Sequence, residues 1–187
     1  MKNLFSILLL FVLLISFNSF SQSSEYGVTA GYNNFIASVN FDNQIGESSD
    51  GASGYYIGLF GDFKISDKFS FIPEVQFNQV FNNGENGEIL ILPLKFEYTI
   101  VDKFNVNAGP VLDYYLSEKD ENITDFGLGL GLGGSYDLTD KLSITTMYSI
   151  GLINRTPDLK VDFGFTEIFD VNTKFDFFQV GLAYKLK

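Results

Sequence analysis

From about residue 26 onward the chain alternates between apolar and polar positions. In "EILILPLKFEYTI" (88–100) the even positions Leu90, Leu92, Leu94, Phe96, Tyr98 and Ile100 are apolar, while Lys95, Glu97 and Thr99 fall on the odd side. The stretch 104–116 places Phe104, Val106, Ala108, Pro110, Leu112, Tyr114 and Leu116 on one face and Asn105, Asn107, Gly109 and Asp113 on the other. A period of two marks a strand with two unlike faces, whereas a helix repeats near 3.6. The same pattern predicts eight strands, at about 26–37, 54–65, 69–81, 88–100, 104–116, 125–138, 142–154 and 174–186.

Three of the connections look alike. "ISDKFSF" (65–71), "IVDKFNV" (100–106) and "LTDKLSI" (138–144) each place x-Asp-Lys between two apolar residues. If Ile100 faces Phe104, then Tyr98 faces Val106 and Leu90 faces Tyr114, and apolar side meets apolar side throughout. A register slip of one residue would oppose the two kinds of face. The loop must therefore be odd, and three residues is the shortest that fits, pairing Ile65 with Phe69 and Leu138 with Leu142 in the other two hairpins. The remaining connections, at about 38–53, 82–87, 117–124 and 155–173, are longer and more polar. Strict alternation of short and long connections predicts an all-β, eight-stranded antiparallel up-and-down barrel, with the short turns at one end.

Three features put the apolar face outward, toward lipid, which makes the barrel transmembrane. The other face is poor in the charges a water-exposed surface carries: in 125–138 it reads Gly127, Gly129, Gly131, Gly133, Ser135 and Asp137. Small residues of this kind fill a narrow barrel beside large ones, here Tyr56, Phe60, Met147 or Tyr115, and Gly109 clears space for Lys95. Aromatics gather near the strand ends, with Phe63, Phe69, Tyr98, Phe104, Tyr136 and Tyr184 by the short turns and Tyr55, Phe81, Tyr114 and Phe178 by the long connections. Two such girdles around an aliphatic band suit the two interfaces of a bilayer. The strands also reach the roughly 9–11 tilted residues that cross hydrocarbon. A secreted lipocalin-like carrier of apolar ligands is the opposite orientation of the same pattern.

Composition narrows the chemistry. The chain has no cysteine and no histidine, which removes disulfides, thiolate and imidazole metal sites and most hydrolase triads. The reading is therefore non-enzymatic, with no catalytic, cofactor-binding or metal-binding residues and no cofactor. Lys2, the apolar stretch Leu4 to Phe17 and Ser19-Phe20-Ser21 have the layout of a secretory signal, predicting a signal peptide at 1–21 and a barrel domain at 22–187. Losing Lys2 moves the net charge of −11 one further unit negative. Asp42, Glu47, Asp50, Glu85, Glu118, Asp120 and Glu121 fall in the predicted long loops, and this acidity argues against nucleic acid as a partner.

Candidate chemistry is sparse. Asp62, Lys64, Glu74, Lys95, Glu97, Asp113, Asp137 and Lys185 are predicted to point inward, either as a polar conduit or binding site or, favoured here, as a mutually paired plug. Gly129, Gly131 and Gly134 match a dinucleotide fingerprint, but no helix start follows them to receive a pyrophosphate. Glu118, Asp120, Glu121 and Asp125 lack calcium-loop spacing and read as a solvated loop. The segment 155–173 still alternates, which predicts either a loop that caps the barrel mouth or a ribbon offering a partner-binding edge. Pro73, Pro93 and Pro110 lie inside strands and predict local breaks in the ladder, with Pro93 and Pro110 close together.

The stretch "ILPLKFEYTIVDKFNVNAGPVLDYYL" resembles the PorT-like outer-membrane β-barrel family through Leu92, Pro93, Leu94, Tyr98, Lys103, Gly109, Pro110, Tyr115 and Leu116. The final "QVGLAYKLK", in which Phe178, Val180, Leu182, Tyr184 and Leu186 alternate, is similar to the signal read by barrel-insertion machinery. Two positions depart from the family pattern: Glu97 stands where a Lys often precedes the Tyr, and the chain ends Leu-Lys rather than in an aromatic. The resemblance implies the outer membrane of a Gram-negative bacterium, contact with outer-membrane lipids and lipopolysaccharide, and assembly by that machinery. The barrel reading itself predicts a role in envelope integrity or surface interaction through the long acidic outer loops, and the resemblance adds, as an alternative, a part in a secretion or gliding machine.

Overall fold

In the computed structural model, residues 24–41, 47–82, 85–117, 123–157, 160–162 and 168–187 are described. They form nine strands: β1 (Ser24–Phe41), β2 (Glu47–Ser66), β3 (Phe69–Asn82), β4 (Glu85–Val101), β5 (Phe104–Tyr115), β6 (Phe126–Asp137), β7 (Leu142–Gly151), β8 (Lys160–Asp162) and β9 (Ile168–Lys185). Eight of them, β1 to β7 and β9, pair antiparallel with their neighbours in chain order, and β9 returns to β1 to close the barrel. The ninth, β8, pairs with the start of β9, Lys160 opposite Asp170 and Asp162 opposite Ile168.

The predicted register holds. Tyr98 faces Val106 and Leu90 faces Tyr114. Two of the three turns are tighter than three residues. In the first two hairpins Ser66 pairs with Phe69 and Val101 with Phe104, each beside a register shift. A two-residue Asp-Lys turn plus one bulged residue thus does the work of a three-residue loop. At the third hairpin the Thr139 hydroxyl accepts from the Lys141 and Leu142 amides at 3.2 and 3.0 Å, and the Leu138 amide donates to the Leu142 carbonyl at 2.8 Å.

The prolines interrupt pairing without shifting register. The β2–β3 ladder skips from Phe60↔Glu74 to Phe63↔Phe71, across Pro73. The β3–β4 ladder skips from Pro73↔Leu94 to Gln76↔Ile91, across Pro93, and β4–β5 from Pro93↔Val111 to Phe96↔Ala108, across Pro110. Each missing pair lies where a proline has no N–H to give.

Outward-facing side chains are apolar in a continuous belt. Ile57, Leu59, Val75, Leu130, Leu132, Ile144, Val180 and Leu182 are exposed. Tyr26, Phe96, Tyr98, Phe104, Tyr136 and Tyr184 rim the belt at the short-turn end, and Tyr32, Tyr55, Phe81, Tyr114, Phe126, Tyr148 and Phe178 at the other. Water does not tolerate such a belt on a monomer, and hydrocarbon does. A lipocalin arrangement would have turned these residues inward.

Two expectations are corrected. The strands β1, β2 and β9 extend to 18, 20 and 18 residues, so much of the predicted loops 38–53 and 155–173 is sheet that continues past the aromatic rim. The lumen is also not polar throughout. Toward the long-connection end, Ala52, Val80, Ile89, Ile91, Val111, Met147, Phe175 and Phe177 form a buried apolar cluster inside the barrel, against which Phe35, Tyr115 and Ile123 pack. The sequence places apolar residues on both faces there, as the unbroken run Ile89-Leu90-Ile91-Leu92 records.

Candidate functional site

The two ends of the lumen differ in chemistry. At the long-connection end the chain leaving β7 folds inward over the apolar cluster. Arg155 is 1% exposed, and its Nη2 donates to Asp113 Oδ2 on β5 at 2.5 Å. Its guanidinium carbon lies 4.5 Å from the centre of the Phe175 ring, within cation–π range. Burial pulls the guanidinium below its ordinary pKa, and the charges of Asp113 and Asp125 oppose that shift.

Backbone bonds fix the segment. The Arg155 amide donates to the Thr173 carbonyl at 2.8 Å, and the Arg155 carbonyl accepts from the Thr124 amide at 2.7 Å. The Asn154 side chain bridges both ways, accepting from the Thr173 amide at 2.9 Å and donating to the Val171 carbonyl at 3.1 Å. Thr156 bonds Thr173 side chain to side chain at 3.0 Å. A Cβ on Gly127 would come within 2.1 Å of Asp113 Oδ1 and 2.3 Å of Arg155 Nη1. That glycine makes room for the ion pair.

A cap and a ribbon both occur at this segment, in different parts of it. Residues 154–156 cap the mouth, while β8 and the start of β9 form a small ribbon.

The middle of the barrel is polar: Gln179 Nε2 donates to Gln76 Oε1 at 2.7 Å and to Asn78 Oδ1 at 3.1 Å, and Gln76 Nε2 donates to Glu74 Oε1 at 2.8 Å. Tyr56 fills this level, packed where Gly31 and Gly181 have no side chain, and Phe60 does the same against Gly27. Tyr115 packs against Gly87 on β4 rather than a β6 glycine, and Met147 lies against Gly131. At Gly109, by contrast, what excludes a Cβ is the Leu94 carbonyl, 2.0 Å from that position, not the Lys95 side chain.

At the short-turn end lies a polar vestibule of about 190 Å³, reaching the first turn at Ser66, Asp67 and Lys68. Its charges are mostly paired. Lys95 Nζ contacts Glu74 Oε2 at 2.6 Å, and Lys185 Nζ contacts Glu25 Oε2 at 2.6 Å and Asp62 Oδ2 at 3.3 Å. Lys64, half-exposed, reaches Glu25 at 3.8 Å. Glu97 Oε2 accepts from Ser135 at 3.1 Å and Asn107 at 3.4 Å. Asp137 accepts from Ser143 at 2.5 Å and Asn105 at 3.4 Å.

The eight predicted inward charges thus divide: seven gather at the vestibule, and Asp113 stands alone at the far mouth. Sequence reasoning missed two of their partners, Arg155 and Glu25. Arg155 is the single arginine of the chain, and that singularity was the available signal. Gly129, Gly131 and Gly134 lie within β6. Of the candidate cation loop, Glu118, Asp120 and Glu121 fall outside the described residues, as does Asp42 of the predicted acidic loops and the predicted signal segment 1–21. Asp125 accepts from the Tyr114 hydroxyl at 3.3 Å. Asp50 accepts from the Gly51 amide at 2.8 Å and from Asn82 at 3.0 Å. No group of three acidic residues able to hold a metal ion occurs among the described residues.

Comparison with known proteins agrees with this architecture. The attachment invasion locus protein Ail of Yersinia pestis has 11% identity and a TM-score of 0.52, over 88% of this chain and 100% of that one. OprG from Pseudomonas aeruginosa has 15% identity and a TM-score of 0.48, over 89% of this chain and 97% of that one. Neisserial surface protein A has 11% identity and a TM-score of 0.47, over 87% of this chain and 99% of that one. Likeness at such low identity to Ail speaks for the fold alone. No curated protein matches the sequence. Residues 7–185 match the family described as the outer membrane protein beta-barrel domain. With nearly its whole length matched, the chain belongs to that family of outer-membrane β-barrels.

Proposed function

We propose that this chain is a small non-catalytic barrel of the outer membrane of a Gram-negative bacterium. Its lumen is plugged, its termini face the periplasm, and its outer rim serves envelope integrity or surface interaction. The observation that carries this reading is the asymmetry between belt and rim. The outward face is a complete lipid-facing band, while β1, β2, β9 and the short β8 continue beyond it as sheet. Backbone raised past the bilayer in pairing register has no role in crossing it, and it supplies a rigid platform for contacts.

Closure is supported from both ends, by the apolar cluster around Phe177 and the buried Arg155–Asp113 pair outside, and by the paired charges at the vestibule. The absence of histidine and cysteine from the sequence supports a non-catalytic role. Outer-membrane lipids and lipopolysaccharide are the partners the belt and rim fit, barrel-insertion machinery is the partner of the alternating C-terminal strand, and the segment 155–173 is the candidate protein contact. Single-channel recording tests closure: brief or no openings are expected, and a steady open conductance would overturn it.

The second reading, an accessory of a secretion or gliding machine, has one specific support, the PorT-like stretch from Leu92 to Leu116. Co-purification from native envelopes separates the two. A lone barrel is recovered with lipid, and a machine component is recovered with stoichiometric protein.

A further inference from the structure

The vestibule has more acceptors than its own donors satisfy. Two buried residues lining it carry a side-chain oxygen without a hydrogen-bond partner: Asp62, 5% exposed, through Oδ1, and Asn107, 8% exposed, through Oδ1. Such atoms in a native interior call for a partner, because an unmet buried acceptor loses its hydration without return. Two carboxylates, Glu97 and Asp137, have no lysine or arginine of the described residues within 4.0 Å and depend on Ser, Asn and hydroxyl donors. With Glu25, which holds Lys185 and Lys64, the site has six carboxylates, at Glu25, Asp62, Asp67, Glu74, Glu97 and Asp137. Four lysines, Lys64, Lys68, Lys95 and Lys185, face them.

We infer that this vestibule binds a short alkylammonium ion from the periplasmic side, through Asp62, Glu97 and Asn107. An ammonium head carries three donors and one positive charge, and these three residues offer acceptor oxygens from β2, β4 and β5. Asp62, Glu97 and Asn107 all line the same cavity. A cavity of about 190 Å³ also exceeds many times over the ~10–15 Å³ that one water needs, leaving room for a short carbon tail. Toward the middle of the barrel it narrows to a pocket of about 20 Å³ at Tyr56 and Gln179, so the ligand enters and leaves by the turn end. A metal ion fits less well, since the acids do not cluster as ligands among the described residues. The inference needs the barrel alone and is independent of what the outer rim does.

The test is a ¹H–¹⁵N chemical-shift titration of the refolded full chain in detergent micelles, using n-butylammonium chloride as the probe. Sodium chloride at matched ionic strength and n-butanol are the controls. Saturable shifts at Asn107 and its neighbours are expected with the amine and not with either control. Glu97→Gln should weaken the affinity at least about tenfold, the usual weight of one hydrogen bond to a charged group, and Asp50→Asn on the outer rim should leave it unchanged. Should Glu97→Gln not refold, Asp137→Asn takes its place with the same expectation of direction. Shifts equal to those from sodium chloride, shifts that never saturate, or an affinity indifferent to the vestibule variants would overturn the inference. So would binding of a lysine tripeptide in the absence of any butylammonium binding.

Discussion

Arg155 Nη2 lies 2.5 Å from Asp113 Oδ2, joining residues 42 apart in sequence across the outer mouth of the barrel. Both are buried, and the arginine takes its other neighbours from Thr173 and Phe175 on β9 and from Thr124. The pair ties the loop after β7 to β5.

Removing one member should cost far more than removing both. Arg155→Met leaves the Asp113 carboxylate buried without its cation, a loss of about 3–5 kcal/mol, while Arg155→Met with Asp113→Leu should recover most of it. Urea unfolding from lipid vesicles gives both values, and equal losses in the single and double variants would mean the pair is not coupled.

Gly109 and Gly51 should answer differently to one methyl group. A Cβ at Gly109 meets the Leu94 carbonyl at 2.0 Å, whereas at Gly51 its nearest neighbour, the Phe35 carbonyl, lies at 3.6 Å. Backbone cannot move aside as a side-chain end can, so Gly109→Ala is expected to lose about 1–3 kcal/mol and Gly51→Ala next to nothing. The same unfolding measurement ranks the two.

The lipid-facing assignment has a depth-dependent signature. Leu132, exposed in mid-belt on β6, should lose about 2–4 kcal/mol on change to Arg, whereas Leu186 at the belt edge should lose about 0–1 kcal/mol. Folding titrations into vesicles report both, and an equal small cost at the two sites would argue against hydrocarbon around Leu132.

The native chain has no cysteine, so single-cysteine labelling reads its sidedness directly. With periplasmic turns, Asp50→Cys should react on intact cells with a bulky polyethylene-glycol maleimide, and Asp67→Cys only after the outer membrane is breached. The reverse pattern would invert the topology.

Much of this fold was written locally. The two-residue period set the faces, and the three Asp-Lys turns set the register, because both depend on residues close in sequence. Leu90 therefore meets Tyr114 as the pattern required. What escaped was long-range. Lys185 meets Glu25 across 160 residues because the barrel closes, and Arg155 meets Asp113 because the chain after β7 folds inward, and no local pattern encodes either. The apolar outer half of the lumen is signalled by Ile89 and Ile91, whose neighbours Leu90 and Leu92 carry the stronger lipid-facing alternation. The rim strands were misread as loops because their Ser, Asn and Gly residues, as in Ser48-Ser49-Asp50-Gly51, carry turn chemistry that pairing across the sheet overrides.

The raised sheet unites the first and last long strands of the chain, with Phe41 opposite Val171 at its tip. These two strands do not find each other until every intervening hairpin has been laid down and the cylinder has zipped shut, the most non-local and hence latest kind of pairing. The platform is thus a certificate of completed assembly: any ligand that recognises it at the cell surface distinguishes a finished molecule from one stalled part-way through insertion.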